Sequence, residues 1–325
     1  MKRVLYFILL VAVQASAKIE ELKSYSDINL ATITENTLVV FDIDNTLLRQ
    51  DHQIGTHQWG DYMKARAIKN GMPAEQAAAF QHKAFAEIQP YAKVQIVEPK
   101  VSKLLKYLKN RNVKHFALTA RSSHIMDTTI KQLGILKHDF ASSFPSQKDT
   151  TLLNNYLREG VIFSGDTPKG ELLKLIISNS NVRPDKIVFI DDKLYNLESV
   201  EKSFAEETIM LTSYRYSAAD VFVKSFNPQI ADLQYSFFLE NHEVLPDNVI
   251  QNLNGDLQAI VALRFQKFID DFGTNGAVGT NCSPVVVANP LRPIYYCDYF
   301  VDGDWAYQSF QFQKTADGSI TFGNW

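Results

Sequence analysis

The sequence predicts an α/β protein with a Rossmann-like, doubly wound parallel sheet, a helical insertion and a small α+β extension at the C-terminal end. Three observations predict this class: four short apolar runs that end in polar residues, helical patterns between them, and a change of texture after about residue 253. Continuous apolar runs of this length suit strands buried on both faces of a parallel sheet. Strands that alternate with helices favour the doubly wound arrangement.

The four apolar runs are the predicted core strands, and an acid or a hydroxyl residue follows each of them. They are Leu38–Phe41 before Asp42, Val113–Leu118 before Thr119, Val161–Phe163 before Ser164, and Ile187–Ile190 before Asp191. Parallel strands place their carboxyl ends at one edge of the sheet, where ligands bind in such folds. We therefore expect these polar residues to meet at one site.

Helical patterns separate the predicted strands. Pro99 suits the first position of a helix, and the apolar stripe that follows it consists of Val101, Leu104, Leu105 and Leu108. Residues 50–98 are too many for an ordinary strand-to-helix connection, and good helix formers dominate their middle part. We interpret them as a helical cap inserted in a core domain of residues 18–49 and 99–253.

The first seventeen residues have the pattern of a secretory signal peptide. Lys2 and Arg3 come first, the apolar run Val4–Val13 follows, and Ala15–Ala17 fits a cleavage site. The run is too short to cross about 30 Å of hydrocarbon as a helix. We predict cleavage after Ala17, export to the periplasm or beyond, and no membrane span in the mature chain. The alternative is a membrane anchor or a buried first helix.

Composition excludes several classes of protein. The 325 residues are 46% hydrophobic and 21% charged, which is ordinary for a globular protein and unlike a disordered, coiled-coil or collagen-like chain. A net charge of −3 gives no electrostatic footprint for nucleic acid, so we expect no nucleic-acid partner. The only cysteines, Cys282 and Cys297, exclude a CxxC-type zinc site. Export would allow them to form a disulfide, and two unpaired thiols are the alternative.

Residues 254–325 form the predicted C-terminal extension. The segment Leu257–Phe272 has an amphipathic helical pattern, and the later residues are β-like, with hairpin signals at Asp302-Gly303 and Asp317-Gly318. The extension is dense in aromatic residues, which can mark a surface that recognises a protein partner. A small β core is the other interpretation of the same density.

The chemistry depends on six polar positions taken together. Asp42 and Asp44 can leave a strand end toward one site, Asp191-Asp192 ends another strand, and Thr119 and Lys169 add a hydroxyl and a cation. Transfer of a phosphoryl group needs a nucleophile, a hard cation bound by oxygens, and donors for the phosphoryl oxygens. Each feature alone has a structural explanation, such as an exposed turn or a helix N-cap. Their conjunction, in order and at strand ends, indicates phosphoryl transfer.

These motifs resemble those of the haloacid dehalogenase (HAD) superfamily of phosphatases over roughly residues 37–199. More narrowly, the chain is similar to DUF2608, a bacterial family of unknown function with a HAD core. The residues that carry this second resemblance are Gln58-Trp59, Leu118-Thr119-Ala120-Arg121, Asp191-Asp192-Lys193 with Asn196, and, more weakly, Phe226-Asn227-Pro228 and Gln234. The resemblance implies a HAD core domain with a C1-type cap.

The resemblance also implies roles for the motif residues. Asp42 would be the nucleophile and form an aspartyl-phosphate, and Asp44 would be the general acid/base. Thr119 would donate a hydrogen bond to the transferring phosphoryl group, and Lys169 would neutralise the charge on Asp42 and the phosphate. Lys174 is a rival for the last role, but it lies more than a helical turn further from the strand ends.

The implied cofactor is Mg²⁺. Asp42, Asp191 and Asp192 would bind it through their carboxylates, Asp192 directly or through a water, and Asp44 through its backbone carbonyl. Predicted substrate-binding residues are Thr46, which closes the first motif, Arg121, whose guanidinium suits phosphate oxygens, and Trp59, which could stack on a substrate ring. A surface ion pair for Arg121 and a place in the core of the cap for Trp59 are the alternatives.

The sequence thus predicts an exported, Mg²⁺-dependent phosphatase whose substrate is a phosphorylated small molecule or a phosphoprotein, including phosphotyrosine. An alternative from another class is a secreted interaction or effector protein that binds a host or envelope partner through the core or through residues 254–325.

Overall fold

The computed structural model describes residues 19–143, 156–248, 278–285, 294–301, 304–314 and 320–323. Thirteen strands are defined in these ranges: β1 (Glu20–Leu22), β2 (Thr37–Phe41), β3 (Leu48–Gln50), β4 (Val94–Ile96), β5 (Lys114–Thr119), β6 (Leu157–Arg158), β7 (Val161–Phe163), β8 (Lys186–Asp191), β9 (Met210–Tyr216), β10 (Val278–Val285), β11 (Ile294–Val301), β12 (Asp304–Lys314) and β13 (Ile320–Gly323). The predicted signal peptide and the predicted helix Leu257–Phe272 lie outside the described residues.

Eight α-helices lie in the same ranges: α1 (His57–Lys69), α2 (Ala74–Ile88), α3 (Pro99–Asn110), α4 (Met126–Leu133), α5 (Lys169–Asn179), α6 (Leu194–Phe204), α7 (Asp220–Lys224) and α8 (Pro228–Asn241). Pro99 opens α3 as predicted, because a first-turn residue needs no backbone N–H for the helix. None of these described helices combines the length and the apolar character needed to cross a bilayer.

A seven-stranded sheet organises the first part of the fold. Its strand order is β1-β9-β8-β2-β5-β7-β6, and every neighbouring pair is parallel except β6 with β7. Helices cover both sides of the sheet, so the predicted α/β class is confirmed. The chain passes from β2 to β5 and β7 on one side and returns through β8 and β9 on the other. This reversal creates a switch point at the carboxyl end of β2, the place where such sheets bind ligands.

Burial on both faces explains why the strands of the sheet do not alternate between apolar and polar residues. The side chains of Leu38 and Val40 on β2 lie in one buried cluster with α5 and α6, while Val39 and Phe41 are buried on the opposite face. With both faces covered, every position of β2 is apolar or buried. The apolar stripe of α3 is also buried, as predicted.

The chain divides into two compact units, and the division differs from the predicted boundaries. Of the described residues, one unit contains those up to Thr46, those from Glu98 to Arg121 and those from His138 to Ala218, which include the seven-stranded sheet. The other unit contains Leu47–Val97, Ser122–Lys137 and the described residues from Ala219 onward. The sequence predicts that residues 122–137 and 219–253 belong to the core domain and that residues 254–325 form a separate extension.

Local contacts explain why these segments group with the insertion. Ala231 and Phe238 of α8 are buried in one cluster with Ile54 and Trp59, and the amide of Gln132, on α4, donates to the carbonyl of Gln89 at 2.9 Å. Long-range apolar burial of this kind is not visible as local periodicity, so the sequence did not predict it.

The described part of the C-terminal extension is a four-stranded antiparallel sheet in the order β10-β11-β12-β13. Its strands β11, β12 and β13 contain the segments that the sequence predicts to be β-like, which are Ile294–Tyr296, Trp305–Phe312 and Ile320–Phe322. Strand β13 contacts α8. The backbone register places Cys282 on β10 opposite Cys297 on β11. The side chains of this sheet are outside the described residues, and the disulfide stays a prediction.

Candidate active site

The first motif lies directly at the carboxyl end of β2, in the unit that holds the seven-stranded sheet. The backbone N–H of Asp42 donates to the carbonyl of Ile190 at 2.9 Å, which fixes Asp42 beside the end of β8. Asn45 then adopts a left-handed backbone with φ of 61°, a conformation that Asn tolerates better than most residues. This turn ends the strand and leaves Asp42 buried, while the side chain of Asp44 is 20% exposed.

Asp42, Asp191 and Asp192 form an acidic cluster, and Lys169 lies between the first two of these acids. This lysine begins α5, its side chain is 1% exposed, and its Nζ lies 2.5 Å from Oδ1 of Asp42 and 2.7 Å from Oδ2 of Asp191. Burial by itself lowers the pKa of Lys169, but the charges of Asp191 and Asp42 outweigh burial and raise that pKa. Lys169 is therefore held as a cation between two carboxylates.

The rival lysine has a different environment. Lys174 is 47% exposed, and its Nζ pairs with Glu207 at 2.6 Å and donates to the carbonyl of Ser203 at 3.2 Å. These contacts are distinct from those of Lys169, so the geometry assigns the cluster's lysine to position 169.

The end of β8 supplies the second pair of acids. Both carboxylate oxygens of Asp191 accept hydrogen bonds from Nδ2 of Asn196, at 3.1 and 3.0 Å, and Oδ1 also accepts from the backbone N–H of Lys193 at 2.8 Å. Asn196 lies on α6, so this helix orients the acid. Nδ2 of Asn45 donates to Asp192 at 3.3 Å, and Nζ of Lys193 lies 3.3 Å from the same carboxylate.

Three of these acids could hold a metal ion. Asp42, Asp191 and Asp192 are buried, and each offers a carboxylate oxygen within 4.8 Å of the others. Burial raises the pKa of Asp192 to about 6, although Lys193 acts in the opposite direction. Burial also raises the pKa of Asp42, against the effect of Lys169 and together with the charges of Asp191 and Asp192. Hard carboxylate oxygens at such spacing suit Mg²⁺.

Arg121 lies beside Asp44 rather than in open space. Its Nε and Nη2 lie 2.7 and 2.8 Å from the two carboxylate oxygens of Asp44, which is a bidentate ion pair with the guanidinium side chain 1% exposed. The backbone N–H of Arg121 donates to Oγ1 of Thr119 at 3.2 Å. Thr119 ends β5 and is buried. One short turn therefore connects the hydroxyl of Thr119 with the guanidinium of Arg121.

Two predicted substrate-binding residues are fully buried. Thr46 is 0% exposed, and its Oγ1 has no hydrogen-bond partner among the described residues. Trp59 is also 0% exposed and packs with Met63 and Ile88 in the other unit, edge-on to Tyr235 at 5.2 Å between ring centroids. A fully buried ring leaves no face for a substrate, so this packing favours the alternative interpretation of Trp59 as a core aromatic.

Sequence reasoning missed three residues near the cluster. Asn45 contacts Asp192, and the side chains of Leu194 and Tyr195 are large yet exposed at the start of α6. A signal for the last two was present, because they directly follow Asp191-Asp192-Lys193 at the beginning of a helix. A sequence pattern alone does not distinguish exposed apolar residues there from buried ones.

Comparison with known proteins adds a family and several relatives. The model of the family described as "Protein of unknown function (DUF2608)" matches residues 16–251. The four-stranded C-terminal sheet begins after the last matched residue.

The relatives come from species of Chlamydia and Rickettsia. A "Putative outer membrane protein" of Chlamydia pneumoniae is 26% identical over 229 residues, which cover 69% of this chain and 86% of that protein. A second protein with that description, from Chlamydia trachomatis, is 23% identical over 62% of this chain and 77% of its own. An uncharacterised protein of Rickettsia prowazekii is 22% identical over 67% of this chain and 83% of its own.

Proposed function

The chain belongs to the DUF2608 family, and we propose that it is an exported, Mg²⁺-dependent phosphatase that hydrolyses phosphomonoesters. The observation that carries this proposal is the buried Lys169 between Asp42 and Asp191, with Asp44 held by Arg121 beside them. A cation that bridges two strand-end acids next to a third, more exposed acid meets the needs of phosphoryl transfer through an aspartyl-phosphate.

The residues present fit a divalent cation. Asp42, Asp191 and Asp192 would hold Mg²⁺, because their oxygens are hard donors and already lie close together. The charges support the same conclusion: the ion pairs that these acids and Asp44 form among the described residues are with Lys169, Arg121 and Lys193, and four carboxylates lie close together there. A bound Mg²⁺ would offset the remaining negative charge and the charge of a phosphate dianion.

In the proposed reaction, a carboxylate oxygen of Asp42 attacks phosphorus, and the bond from phosphorus to the ester oxygen breaks. Asp44 gives its proton to that leaving oxygen. Asp44 then takes a proton from the water that attacks the aspartyl-phosphate, which releases inorganic phosphate and restores Asp42. Lys169 reduces the repulsion between the anionic nucleophile and the anionic substrate. The hydroxyl of Thr119 would donate a hydrogen bond to a phosphoryl oxygen.

Arg121 has a positioning role in this scheme. A bidentate guanidinium fixes both oxygens of a carboxylate, so it sets the direction in which Asp44 faces the reacting group. In this scheme Arg121 orients Asp44, whereas the sequence predicts it as a ligand of the substrate phosphate.

The proposal is tested by Asp42→Asn, which keeps the size of the side chain and removes the nucleophile. We expect release of phosphate from p-nitrophenyl phosphate to fall by at least about 10³-fold and to need Mg²⁺ in the wild type. Asp185→Asn is the matched control, since Asp185 directly precedes β8 at the opposite edge of the sheet. Full activity of Asp42→Asn would overturn the assignment.

Export is supported by the relatives described as putative outer membrane proteins and by the N-terminal sequence pattern.

A second candidate function is that of an effector that binds a protein partner. It rests on the C-terminal sheet, which lies outside the family match and would form the binding surface. Deletion of residues 254–325 separates the two candidates. Loss of partner binding with phosphatase activity retained would favour a binding role for the sheet.

A further inference from the structure

Two large side chains are exposed beside the acidic cluster. Leu194 is 47% exposed and Tyr195 is 56% exposed, and both lie in the first turn of α6, immediately after the acids at the end of β8. In this part of the molecule Asn196 turns inward to Asp191, so the same helical turn holds one residue that orients the acid and two that face outward. Adjacent exposed apolar side chains beside a polar site can contribute to a ligand-binding surface.

The charges of the cluster reach Tyr195. Its pKa is raised to about 12, first by burial and then by the negative charge of Asp191; Lys169 lowers this pKa, and Asp42 and Asp192 add smaller increases. The side chain as a whole is nevertheless more than half exposed. The raised pKa and the large exposed fraction agree if the hydroxyl of Tyr195 is partly enclosed near the acids and the rest of the ring faces solvent. Tyr195 therefore lies at the rim of the cluster.

A rim of this composition suits the organic part of a substrate. In the proposed reaction the phosphate of a substrate lies at Asp42 and Lys169, and the ester oxygen connects it to an organic part outside the cluster. Aromatic rings pair with other rings in offset or edge-to-face geometry, and an adjacent aliphatic side chain extends the apolar contact. The side chain of Leu194 has no polar atom, so it offers no hydrogen bond to a charged or sugar-like group.

We propose that Leu194 and Tyr195 form a specificity surface for phosphomonoesters whose leaving group carries an aromatic ring. The proposal rests on the proposed phosphatase function and adds the substrate class. Aryl-alkyl phosphates, nucleotides and phosphotyrosine share the required chemistry, and a simple alkyl phosphate lacks it.

The test uses two esters with the same leaving-group chemistry. Ethyl phosphate and 2-phenylethyl phosphate are both esters of primary alcohols, and they differ only in the ring. We expect the wild-type protein with Mg²⁺ to hydrolyse the phenyl ester with kcat/KM about 10-fold higher, since a ring contact and its buried area are worth a factor of this order. The matching phosphonates, which are not hydrolysed, provide a calorimetric measurement of binding without turnover.

The variants separate the ring contact from general damage. Tyr195→Ala should reduce the preference to less than about 3-fold and leave ethyl phosphate unaffected, whereas Tyr195→Phe should keep the preference. Leu194→Ala should reduce it by a smaller factor. Met210→Ala is the control, because Met210 is 63% exposed at the start of β9, the amino end of a parallel strand at the opposite edge of the sheet.

The outcomes are distinguishable. Equal kcat/KM for the two esters, or an equal loss for both in Tyr195→Ala, would overturn the specificity surface and leave the phosphatase proposal standing. No Mg²⁺-dependent hydrolysis of either ester would overturn the phosphatase proposal and this inference with it. A preference that depends on the Tyr195 ring, with the same preference in phosphonate binding, would support both.

Discussion

At the scale of single residues, the contact between Arg121 and Asp44 is the most informative one in the cluster. The guanidinium is almost completely buried, while the carboxylate is partly open to solvent. A planar fork matches the two oxygens of a carboxylate, and a lysine ammonium does not, although it carries the same charge. The orientation of Asp44 therefore depends on the shape of its partner as well as on its charge.

We predict that Arg121→Lys lowers kcat for p-nitrophenyl phosphate by about 10- to 100-fold while KM changes by less than about 3-fold. The reason is that the variant keeps the positive charge and loses the orientation of the general acid/base. Steady-state kinetics with saturating Mg²⁺ give both constants.

Arg66→Lys is the control for this prediction, because Arg66 forms a similar half-buried ion pair with Asp232 in the other unit, with 2.8 Å between the charged atoms. If Arg121→Lys instead raised KM with kcat unchanged, Arg121 would bind the substrate phosphate.

A second feature at this scale is a pair of histidines. Nε2 of His115 and Nε2 of His138 are 2.7 Å apart, and Nδ1 of His115 contacts the carbonyl of Val113 at 2.7 Å. Burial, then the charges of His115 and Lys109, lower the pKa of His138 to about 4, whereas Asp139 raises it. Burial likewise lowers the pKa of His115. The pair is therefore neutral in the folded protein near pH 7.

This pair predicts that the folded state loses stability as the pH falls. Between about pH 6.5 and pH 4 the unfolded chain binds a proton at His138 and the folded chain does not, so protons favour unfolding. We expect His138→Gln to weaken this dependence by about 1 kcal/mol between pH 7 and pH 5, a discounted figure because the side chain is only half-buried. Urea unfolding at the two pH values measures it.

His82→Gln, at an exposed position of α2, is the control and should leave the pH dependence as in the wild type. A His138→Gln protein with an unchanged dependence would show that other groups cause the loss of stability.

At the scale of elements, the close approach of α5 and α6 positions the cluster. Gly170 follows Lys169 on α5, and a Cβ at this position would collide with the backbone carbonyl of Ser199 on α6. The backbone N–H of Gly170 donates to Oγ of Ser199 at 3.1 Å. Since α5 carries Lys169 and α6 carries Asn196, the spacing of the two helices sets the place of both side chains.

We predict that Gly170→Ala destabilises the protein by about 2 kcal/mol and also lowers phosphatase activity, because the helices must separate to admit the methyl group. Thermal unfolding and phosphate release measure the two effects.

Gly134→Ala is the matched control: no atom outside its own neighbourhood lies within 4 Å of a Cβ there, and its φ of −53° is allowed for alanine. That control should be neutral or slightly stabilising. An equally small effect of Gly170→Ala would contradict the proposed constraint.

At the scale of the whole molecule, the acidic cluster links metal binding to the stability of the fold. Asp42 and Asp191 come from neighbouring strands that are far apart in sequence, so their close approach exists only in the folded chain. An ion that binds this arrangement and not the unfolded chain stabilises the fold by mass action.

We predict that Mg²⁺ at ten times its dissociation constant stabilises the wild-type protein by about 1.4 kcal/mol, which corresponds to roughly 2–4 °C in Tm. Asp191→Asn should lose this increase, whatever its own starting Tm. Differential scanning calorimetry in MgCl₂ and in NaCl of equal ionic strength measures the difference, with Asp185→Asn as the control that keeps it. An unchanged Mg²⁺ effect in Asp191→Asn would exclude Asp191 as a ligand.

Local patterns in the sequence predicted much of the sheet and of the cluster. The strand Val161–Phe163 has the predicted bounds, and the predicted strand that ends before Asp42 differs by one residue at its start. Strands buried on both faces need a continuous apolar run, and a run of that kind is complete within a few neighbouring residues. The polar residue after each run then lies at the ligand-binding edge because the strands are parallel.

The sequence by itself determined the α/β class, the order of the motifs and the residues that end each strand, since short-range periodicity and strand direction are sufficient for these. Only the tertiary structure decided that Arg121 pairs with Asp44, that Trp59 is buried, that Tyr195 is exposed, and that Ser122–Lys137 groups with the insertion. The physical reason is that the partner of a side chain and its exposure depend on which distant segments pack around it. Arg121 and Asp44 are 77 positions apart, a separation that no local pattern encodes.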